Sequence, residues 1–332
     1  RKYFEEEDYE KIKLNLEILG INFKTKAYLF LDEIQYIKTL PSAVKYLYDH
    51  YKIKFFLTGS SSFYLKKNFT ESLSGRKYIF ELFPLNFKEF LLFKNKKLTV
   101  PSSRTKISKN IYNIFATFYE EYLLFGGFPG VVMKESYEEK KMTLEDIFSS
   151  YFQLEVAQLG EFRNLNIIRD LIILLMSRIG SKLDVQKLSQ ELGISRPTVY
   201  EYISFLEGTY FIKLIKPFTS NKDTEIRSMP KIYICDSGLV NNLIKTDEGN
   251  LFENNVFQNL RLKGELNYYQ KKSGLEMDFI LNKKRAFEVK INPSKQDLIR
   301  LVNISKELKI KECNIISKKF SDLENVIYGF MA

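Results

Sequence analysis

Apolar and polar residues follow a block pattern in the first part of the chain. An apolar strand at residues 27–34 (AYLFLDEI) precedes a helical pattern at 40–51 (LPSAVKYLYDHY), and a second strand follows at 53–61 (IKFFLTGSS). Strands that alternate with helices are typical of a parallel sheet covered by helices. The pattern therefore predicts an α/β layer near the start of the chain.

The pattern then becomes mainly helical. Residues 100–110 (VPSSRTKISKN) are polar and basic and predict a loop or linker, whereas residues 111–179 predict helices. Glycines and a proline interrupt the helical stretch at 125–130 (FGGFPG). This cluster predicts a tight turn or a close backbone contact.

Residues 182–217 have the spacing of a helix-turn-helix. Leu188 and Leu192 lie on one face of a first helix, which can end at Gly193, and Ser195 can cap a second helix. The alternating residues that follow predict a wing strand. Beyond this predicted winged helix, from residue 225 onward, the pattern returns to mixed α/β.

Composition adds a preference for acidic partners. The chain has 332 residues, 45% hydrophobic and 28% charged, which is enough apolar material for roughly two or three globular domains. Its net charge of +10 favours nucleic acid or nucleotide phosphates as partners. A lysine-rich proteome would give the same charge, so the charge alone does not decide the function.

The chain contains very few histidine and cysteine residues. The only histidine is His50, and the two cysteines, Cys235 and Cys313, lie far apart without metal-ligand spacing. Histidine-based catalysis and zinc binding are therefore nearly excluded, and a reducing cytoplasm is expected. The apolar run at 171–176 is too short to span a bilayer, so no membrane partner is expected.

The first candidate site follows the two N-terminal strands. Asp32 and Glu33 come directly after the first strand, at the end where open parallel sheets bind ligands. Asp32 can hold Mg²⁺ and Glu33 can orient an attacking water, while a hydroxyl after the second strand could sense a γ-phosphate. Arg76 can stabilise charge on a transferring phosphoryl group. The alternatives are a solvent-facing acid pair and, for Arg76, a structural ion pair.

Four segments together resemble a known family. YLFLDEIQYI, FFLTGSSSFYL, ESLSGR and FELFPLNFKEFL look like the prokaryotic and archaeal AAA-type ATPases that carry a C-terminal DUF4143 domain. The resemblance covers nearly the whole chain. It implies that Asp32 and Glu33 are the Walker B pair, that Ser60 is a sensor residue, and that ATP and Mg²⁺ are cofactors. Such ATPases often form homo-oligomers in which one subunit's arginine reaches its neighbour's nucleotide.

One departure from the family is large. No G-x-x-x-x-G-K-[ST] phosphate loop occurs in the sequence, and only 31 residues precede Asp32. Without that loop there is no amide cradle and no lysine for the phosphates. We expect either a chain that has lost its N-terminus or a degenerate protein that keeps the fold without binding ATP.

The second candidate site is the predicted recognition helix. Arg196, Thr198 and Tyr200 lie near its start, where a winged helix contacts DNA. Glu201 and Glu207 lie on the same helix and are unfavourable beside phosphates. The alternative is a winged helix used for packing or for protein interaction.

The third candidate site lies in the C-terminal part. Asp278 precedes a plausible turn (NKK), and Glu288 and Lys290 follow it two residues apart, so that a hairpin would bring the three together. Glu253 lies on a helix upstream. The arrangement resembles the D…E-x-K core of restriction-endonuclease-like folds, in which acids hold Mg²⁺ and the lysine aids the attacking water. The alternative is a solvated charge network.

Together these observations predict an α/β multidomain protein. Its parts are a partial parallel-sheet P-loop ATPase core, a helical linker or lid region, a winged helix-turn-helix, and a restriction-endonuclease-like α/β domain, at residues 1–98, 99–180, 181–220 and 221–332. The expected function is an ATP-driven switch or motor that acts on DNA or a partner protein. The alternatives are a non-enzymatic nucleic-acid-binding protein with a vestigial ATP site and a Mg²⁺-dependent nuclease.

Overall fold

The structure is a computed structural model that separates into two compact units. The described residues are 2–6, 8–37, 39–59, 75–160, 162, 164–219, 228–271 and 274–332. The first unit comprises Arg1–Leu82 and Ile203–Tyr210, and the second comprises Phe83–Tyr202 and Phe211–Ala332. In the described part of the chain, no helix combines the length and the apolar character that crossing a bilayer requires.

The first unit contains the predicted parallel layer. Its elements in chain order are α1 (Tyr9–Ile18), β1 (Ala27–Leu31), α2 (Leu40–His50) and β2 (Ile53–Leu57). The two strands pair in parallel, with Leu31 opposite Leu57. The parallel α/β arrangement expected from the sequence pattern is therefore confirmed.

One face of this small sheet is covered and the other is exposed. Leu29 and Ile53 are buried with Leu47 of α2 in one hydrophobic cluster. Because successive strand residues point to opposite faces, Phe30 and Phe56 lie on the other side. Their rings stack at 4.7 Å between centroids, and Phe30 is 73% exposed. The sheet thus presents an aromatic face to solvent, although parallel sheets are usually covered on both faces.

The second unit is larger and mixed. Its helices are α3 (Phe87–Phe93), α4 (Lys109–Phe125), α5 (Pro129–Val132), α6 (Tyr137–Tyr151), α7 (Leu165–Met176), α8 (Val185–Leu192), α9 (Arg196–Gly208), α10 (Ser237–Leu243), α11 (Glu248–Leu260) and α12 (Lys295–Glu307). Helix α9 is shared, because its residues from Ile203 onward belong to the first unit. Its strands are β3 (Ile212–Ile215), β4 (Lys231–Ile234), β5 (Leu266–Gln270), β6 (Glu276–Leu281), β7 (Arg285–Lys290), β8 (Glu312–Ser317) and β9 (Val326–Tyr328). A π-helical segment, Phe152–Leu159, follows α6 directly.

A five-stranded mixed sheet organises the C-terminal part of this unit. The strands lie in the order β5-β6-β7-β8-β9, antiparallel from β5 to β7 and parallel from β7 to β9. Asn282 and Lys283 adopt positive φ angles of 50° and 60° between β6 and β7, so the turn predicted at NKK is confirmed. Helix α11 precedes the sheet, and α12 joins β7 to β8 as the crossover that a parallel pair requires.

Helices α8 and α9 form around the turn that the sequence indicated. Gly193 ends α8 with a φ of 64°, a left-handed conformation that favours glycine. The Ser195 hydroxyl accepts a bond of 3.4 Å from the Thr198 amide and so caps α9. The antiparallel pair β3–β4 follows. These are the elements of a winged helix, whose identity stays a prediction.

The glycine cluster at 125–130 makes the close contact that its composition predicted. The Gly127 amide donates a bond of 2.8 Å to Asp236, a fully buried carboxylate. Gly126 has a φ of 74° and a ψ of −163°, and a Cβ there would overlap the Asp236 carboxylate. Only glycine combines this backbone conformation with this approach.

Gly126→Ala should destabilise the second unit strongly, by about 3 kcal/mol or more, because it adds overlap with a buried carboxylate to backbone strain. Thermal unfolding of the variant measures the effect. Gly193→Ala is the matched control, since Gly193 has a positive φ of 64° but no atom within 4 Å of an added Cβ. It should cost only about 1 kcal/mol. Equal losses in the two variants would contradict the contact with Asp236.

Candidate functional site

Two polar side chains meet at the carboxyl edge of the β1–β2 sheet. Asp32 follows β1 and Thr58 follows β2, and the Thr58 hydroxyl donates a hydrogen bond to Asp32 Oδ1. The backbone holds them in place, because the Thr58 amide donates to the Leu31 carbonyl at 2.9 Å. Asp32 is exposed, so its carboxylate remains accessible to a ligand.

Glu33 adopts an unusual backbone conformation beside this pair. Its φ and ψ of 53° and 48° are left-handed, which is uncommon for a residue with a Cβ. Its Oε2 accepts a bond of 2.5 Å from the side-chain Nε2 of Gln35, a buried residue. Such backbone conformations cluster at functional sites, although the turn between β6 and β7 contains two of them as well.

Of the other two predicted residues of the nucleotide site, only Arg76 lies in the described part of the chain. Ser60 lies outside the described residues. Arg76 pairs with Asp49 near the end of α2, with 2.9 Å between Nε and Oδ1. This is the structural ion pair considered as the alternative for Arg76.

The predicted DNA-contacting residues lie at the start of α9. Arg196 is exposed, and Tyr200 is 60% exposed. The Thr198 hydroxyl lies 2.8 Å from the Ser195 hydroxyl, so Thr198 takes part in the helix cap. Glu201 is exposed on the same helix.

The residues of the predicted nuclease-like centre come together in part. The Asp278 Oδ2 atom of β6 accepts a bond of 2.8 Å from the Val289 amide of β7. The Lys290 ammonium lies 2.7 Å from Glu288 Oε1. Glu253 projects from α11, and its Oε1 accepts a bond of 2.6 Å from the Tyr233 hydroxyl. Asp278 and Glu288 are buried, which a solvated charge network would not require.

A lysine that the sequence analysis did not identify lies among these acids. Lys231, the first residue of β4, is only 4% exposed. Its ammonium contacts the carboxylate of Glu276 and lies 3.5 Å from Glu253 Oε1 and 3.7 Å from Asp278 Oδ1. Its sequence signal was weak, namely a lysine at the head of an otherwise apolar strand.

The electrostatics of this cluster follow from burial. Burial raises the pKa of Glu253 to about 7, with a further increase from the Asp278 charge and an opposing effect of Lys231. Burial and Asp278 likewise raise the pKa of Glu288 to about 7, against the effect of Lys290. Burial alone would lower the pKa of Lys231, but the charges of the three acids around it raise it above its ordinary value.

The carboxylates around Lys231, those of Glu253, Glu276 and Asp278, do not fit a divalent metal. Across the described residues, no three His, Cys, Asp or Glu side chains are arranged to hold a metal ion. The point where the carboxylates converge is taken by the Lys231 ammonium.

The other buried polar groups of α11 have a structural role. Asn254, Asn255, Gln258 and Asn259 are all buried. Asn254 bonds both the amide and the carbonyl of Ile234, at 2.8 and 3.2 Å. Gln258 accepts from the Ser237 amide at 2.7 Å and donates to Asp236 at 3.1 Å. These side chains fix the position of the backbone at the end of β4 and directly after it.

Two family models match parts of the chain. Residues 2–91 match the model described as an AAA domain. Residues 116–250 match a model described as a domain of unknown function, DUF8612. The resemblance to AAA-type proteins is therefore supported for the N-terminal part, whereas the DUF4143 assignment stays a prediction.

Relatives match over most of the chain. An uncharacterized protein of Methanocaldococcus jannaschii is 29% identical over 96% of this chain and 76% of its own length. One of Haemophilus influenzae is 28% identical over 82% of this chain and 68% of its own length. One of Mycobacterium tuberculosis is 25% identical over 68% of this chain and 46% of its own length. No solved structure matches the chain.

Glu253→Gln should gain stability relative to wild type as the pH rises. The pKa of Glu253 is about 7 in the folded state against an ordinary value of 4.5, so its ionisation costs stability as pH rises through this window. Glutamine has no such cost. The difference in unfolding free energy between the variant and wild type should shift by about 1–3 kcal/mol in favour of the variant between pH 5 and pH 8.

Chemical unfolding at the two pH values measures this shift. Glu248→Gln, which neutralises an exposed carboxylate on the same helix, is the control. A difference between Glu253→Gln and wild type that stays constant with pH would contradict the burial argument.

Proposed function

We propose that this chain carries the nucleotide-handling edge of an AAA-type ATPase that acts as a switch or motor on DNA or a partner protein. The observation that carries the proposal is the meeting of Asp32 and Thr58 at the carboxyl ends of two parallel strands. Glu33 follows directly, and all three lie within the segment that matches an AAA domain. This edge is where nucleotides bind in open α/β sheets.

The residues present suit the coordination of hydrated Mg²⁺. Magnesium keeps several of its waters and is often held by one or two carboxylates together with substrate phosphates. Asp32 is exposed and, through Oδ1, held by the Thr58 hydroxyl, so it can accept hydrogen bonds from metal-bound water. The ion, when bound with ATP, would neutralise charge that develops on the phosphates.

Glu33 would orient the attacking water. Its left-handed backbone turns the chain sharply after β1, and the side-chain Nε2 of Gln35 donates a hydrogen bond to its carboxylate. A carboxylate held in this way can accept a proton from water or align it for attack. Arg76 is held by Asp49, so it could reach a phosphate only by leaving that ion pair. We therefore assign the core of the site to Asp32, Glu33 and Thr58.

Phosphate binding needs groups that the sequence does not supply. Because the 332 residues contain no G-x-x-x-x-G-K-[ST] motif, the amide cradle would have to come from another segment. A version of the protein extended upstream to any phosphate loop encoded in its gene tests this requirement. The exposed aromatic face of the β1–β2 sheet leaves room for a further layer in such a version.

Glu33→Gln should keep Mg²⁺-ATP binding and lose turnover in the extended version. A positioned carboxylate contributes about 10²-fold or more to attack by water, whereas its neutral analogue keeps the shape of the site. Calorimetry measures binding and phosphate release measures turnover. Glu17→Gln, an exposed acid of α1, is the control and should retain both.

The proposal predicts weak or no ATP binding by the 332-residue chain alone. If neither version binds Mg²⁺-ATP, or if Glu33→Gln hydrolyses ATP at the wild-type rate, the proposed ATPase site is wrong.

Binding of duplex DNA through α9 is a second candidate function. It is favoured by the exposure of Arg196 and Tyr200 at the start of the helix and by the net charge of +10. The exposed Glu201 on the same helix opposes it. This function requires no ATP and corresponds to the non-enzymatic alternative.

Arg196→Ala should weaken DNA binding in a salt-dependent way. Loss of one phosphate contact reduces the slope of log affinity against log salt by about one. Fluorescence anisotropy with a labelled duplex at several salt concentrations measures this slope. Arg300→Ala removes an exposed arginine of α12 and should leave the slope unchanged. Equal slopes for Arg196→Ala and wild type would indicate that α9 packs or binds protein instead.

A further inference from the structure

In the second unit, Lys231 lies beside Asp278, one of the acids that would hold Mg²⁺ in a nuclease-like centre. We propose that Lys231 is the resident cation of the acidic cluster formed by Glu253, Glu276 and Asp278, and that this centre is closed to divalent metals. The likeness to a Mg²⁺-dependent nuclease would then not extend to metal chemistry at Asp278, whatever the nucleotide site does.

The oxygens of Asp278 and Glu276 are already divided between protein donors and the ammonium. Asp278 gives Oδ2 to the Val289 amide and faces Lys231 with Oδ1. The Glu276 Oε2 atom accepts a hydrogen bond from the side-chain Nε2 of Gln270, and its Oε1 contacts Lys231. A magnesium ion requires about six oxygen ligands in near-octahedral geometry. Here each of these acids offers one free oxygen, and that oxygen is directed at an ammonium.

Glu253 is held just as firmly. Its Oε1 accepts the Tyr233 hydroxyl at 2.6 Å and lies 3.5 Å from the ammonium. A Cβ added at Gly180 would lie 3.1 Å from this carboxylate, so the neighbouring backbone is packed against it. The side chain therefore has little room to swing toward a metal.

The residues on both sides of Lys231 form backbone hydrogen bonds that fix its position. The Leu183 amide donates to the Pro230 carbonyl at 2.8 Å, and the Ile232 amide donates to the Ser181 carbonyl at 3.1 Å. The Tyr268 ring lies 5.8 Å from the ammonium, and its hydroxyl donates to the Met229 carbonyl at 2.6 Å. Lys231 is thus built into the cluster rather than reaching in from the surface.

Charge explains why the lysine would exclude a metal. A buried carboxylate needs a counter-charge, and a buried ammonium needs acceptors. Each supplies what the other lacks. A divalent ion entering the same space would meet the ammonium at short range, where repulsion between like charges is strong in a poorly solvated interior.

Lys231→Met should lower the thermal midpoint by on the order of 10 °C, because it leaves three carboxylates without their counter-ion. Adding Asp278→Asn to Lys231→Met should recover part of this loss by removing one of the repelling charges. Lys140→Met is the matched control. Lys140 is 2% exposed and lies 2.7 Å from Glu121, but Lys94 lies 3.3 Å from the same oxygen and would remain after the change. This control should lose less.

A titration of the wild-type protein with Mn²⁺, followed by water proton relaxation, tests the exclusion of metal directly. We expect the wild type and Asp278→Asn to bind Mn²⁺ equally. A wild-type Mn²⁺ site that disappears in Asp278→Asn would overturn the proposal. So would a double variant no more stable than Lys231→Met. If Lys231→Met does not fold but the double variant does, the proposal is supported. If neither folds, the Mn²⁺ comparison decides.

Discussion

The need to pair every buried polar group along α11 is the constraint on which the second unit depends. This helix holds the half-buried Glu253 against Lys231 and Tyr233. It also buries Asn254 against the last residue of β4 and Gln258 against the backbone just after it. An unpaired polar group in this position would cost more free energy of folding than a typical hydrogen bond contributes. The polar face of α11 therefore specifies how β4 and the five-stranded sheet come together.

The two acidic sites of the chain obey the same electrostatic rule with opposite results. Asp32 and Glu33 follow a strand at an exposed sheet edge, where a carboxylate stays hydrated and can meet a ligand. Asp278 is buried, and the protein supplies its cation internally through Lys231. An open acid pair suits a nucleotide and its magnesium, whereas a closed ion network suits a structural module. This contrast is why we place the function in the first unit.

Local signals made part of this arrangement predictable. The β1–β2 layer, the turn at Asn282 and the helix end at Gly193 each depend on a few neighbouring residues, and the structure contains all three. The partners of buried charges were not predictable, because Lys231 reaches acids more than twenty residues away along the chain. The contact of Asp236 with Gly127 spans more than a hundred residues, so no periodicity could reveal it.

We propose that divalent cations act at Asp32 and not at the cluster around Asp278. Relaxation of water protons by Mn²⁺, measured with ATP on the version extended upstream, tests it most directly. We predict an ATP-dependent signal that Asp32→Asn abolishes and Asp278→Asn leaves unchanged. A signal that survives Asp32→Asn and is lost in Asp278→Asn would place the cation at Asp278 instead.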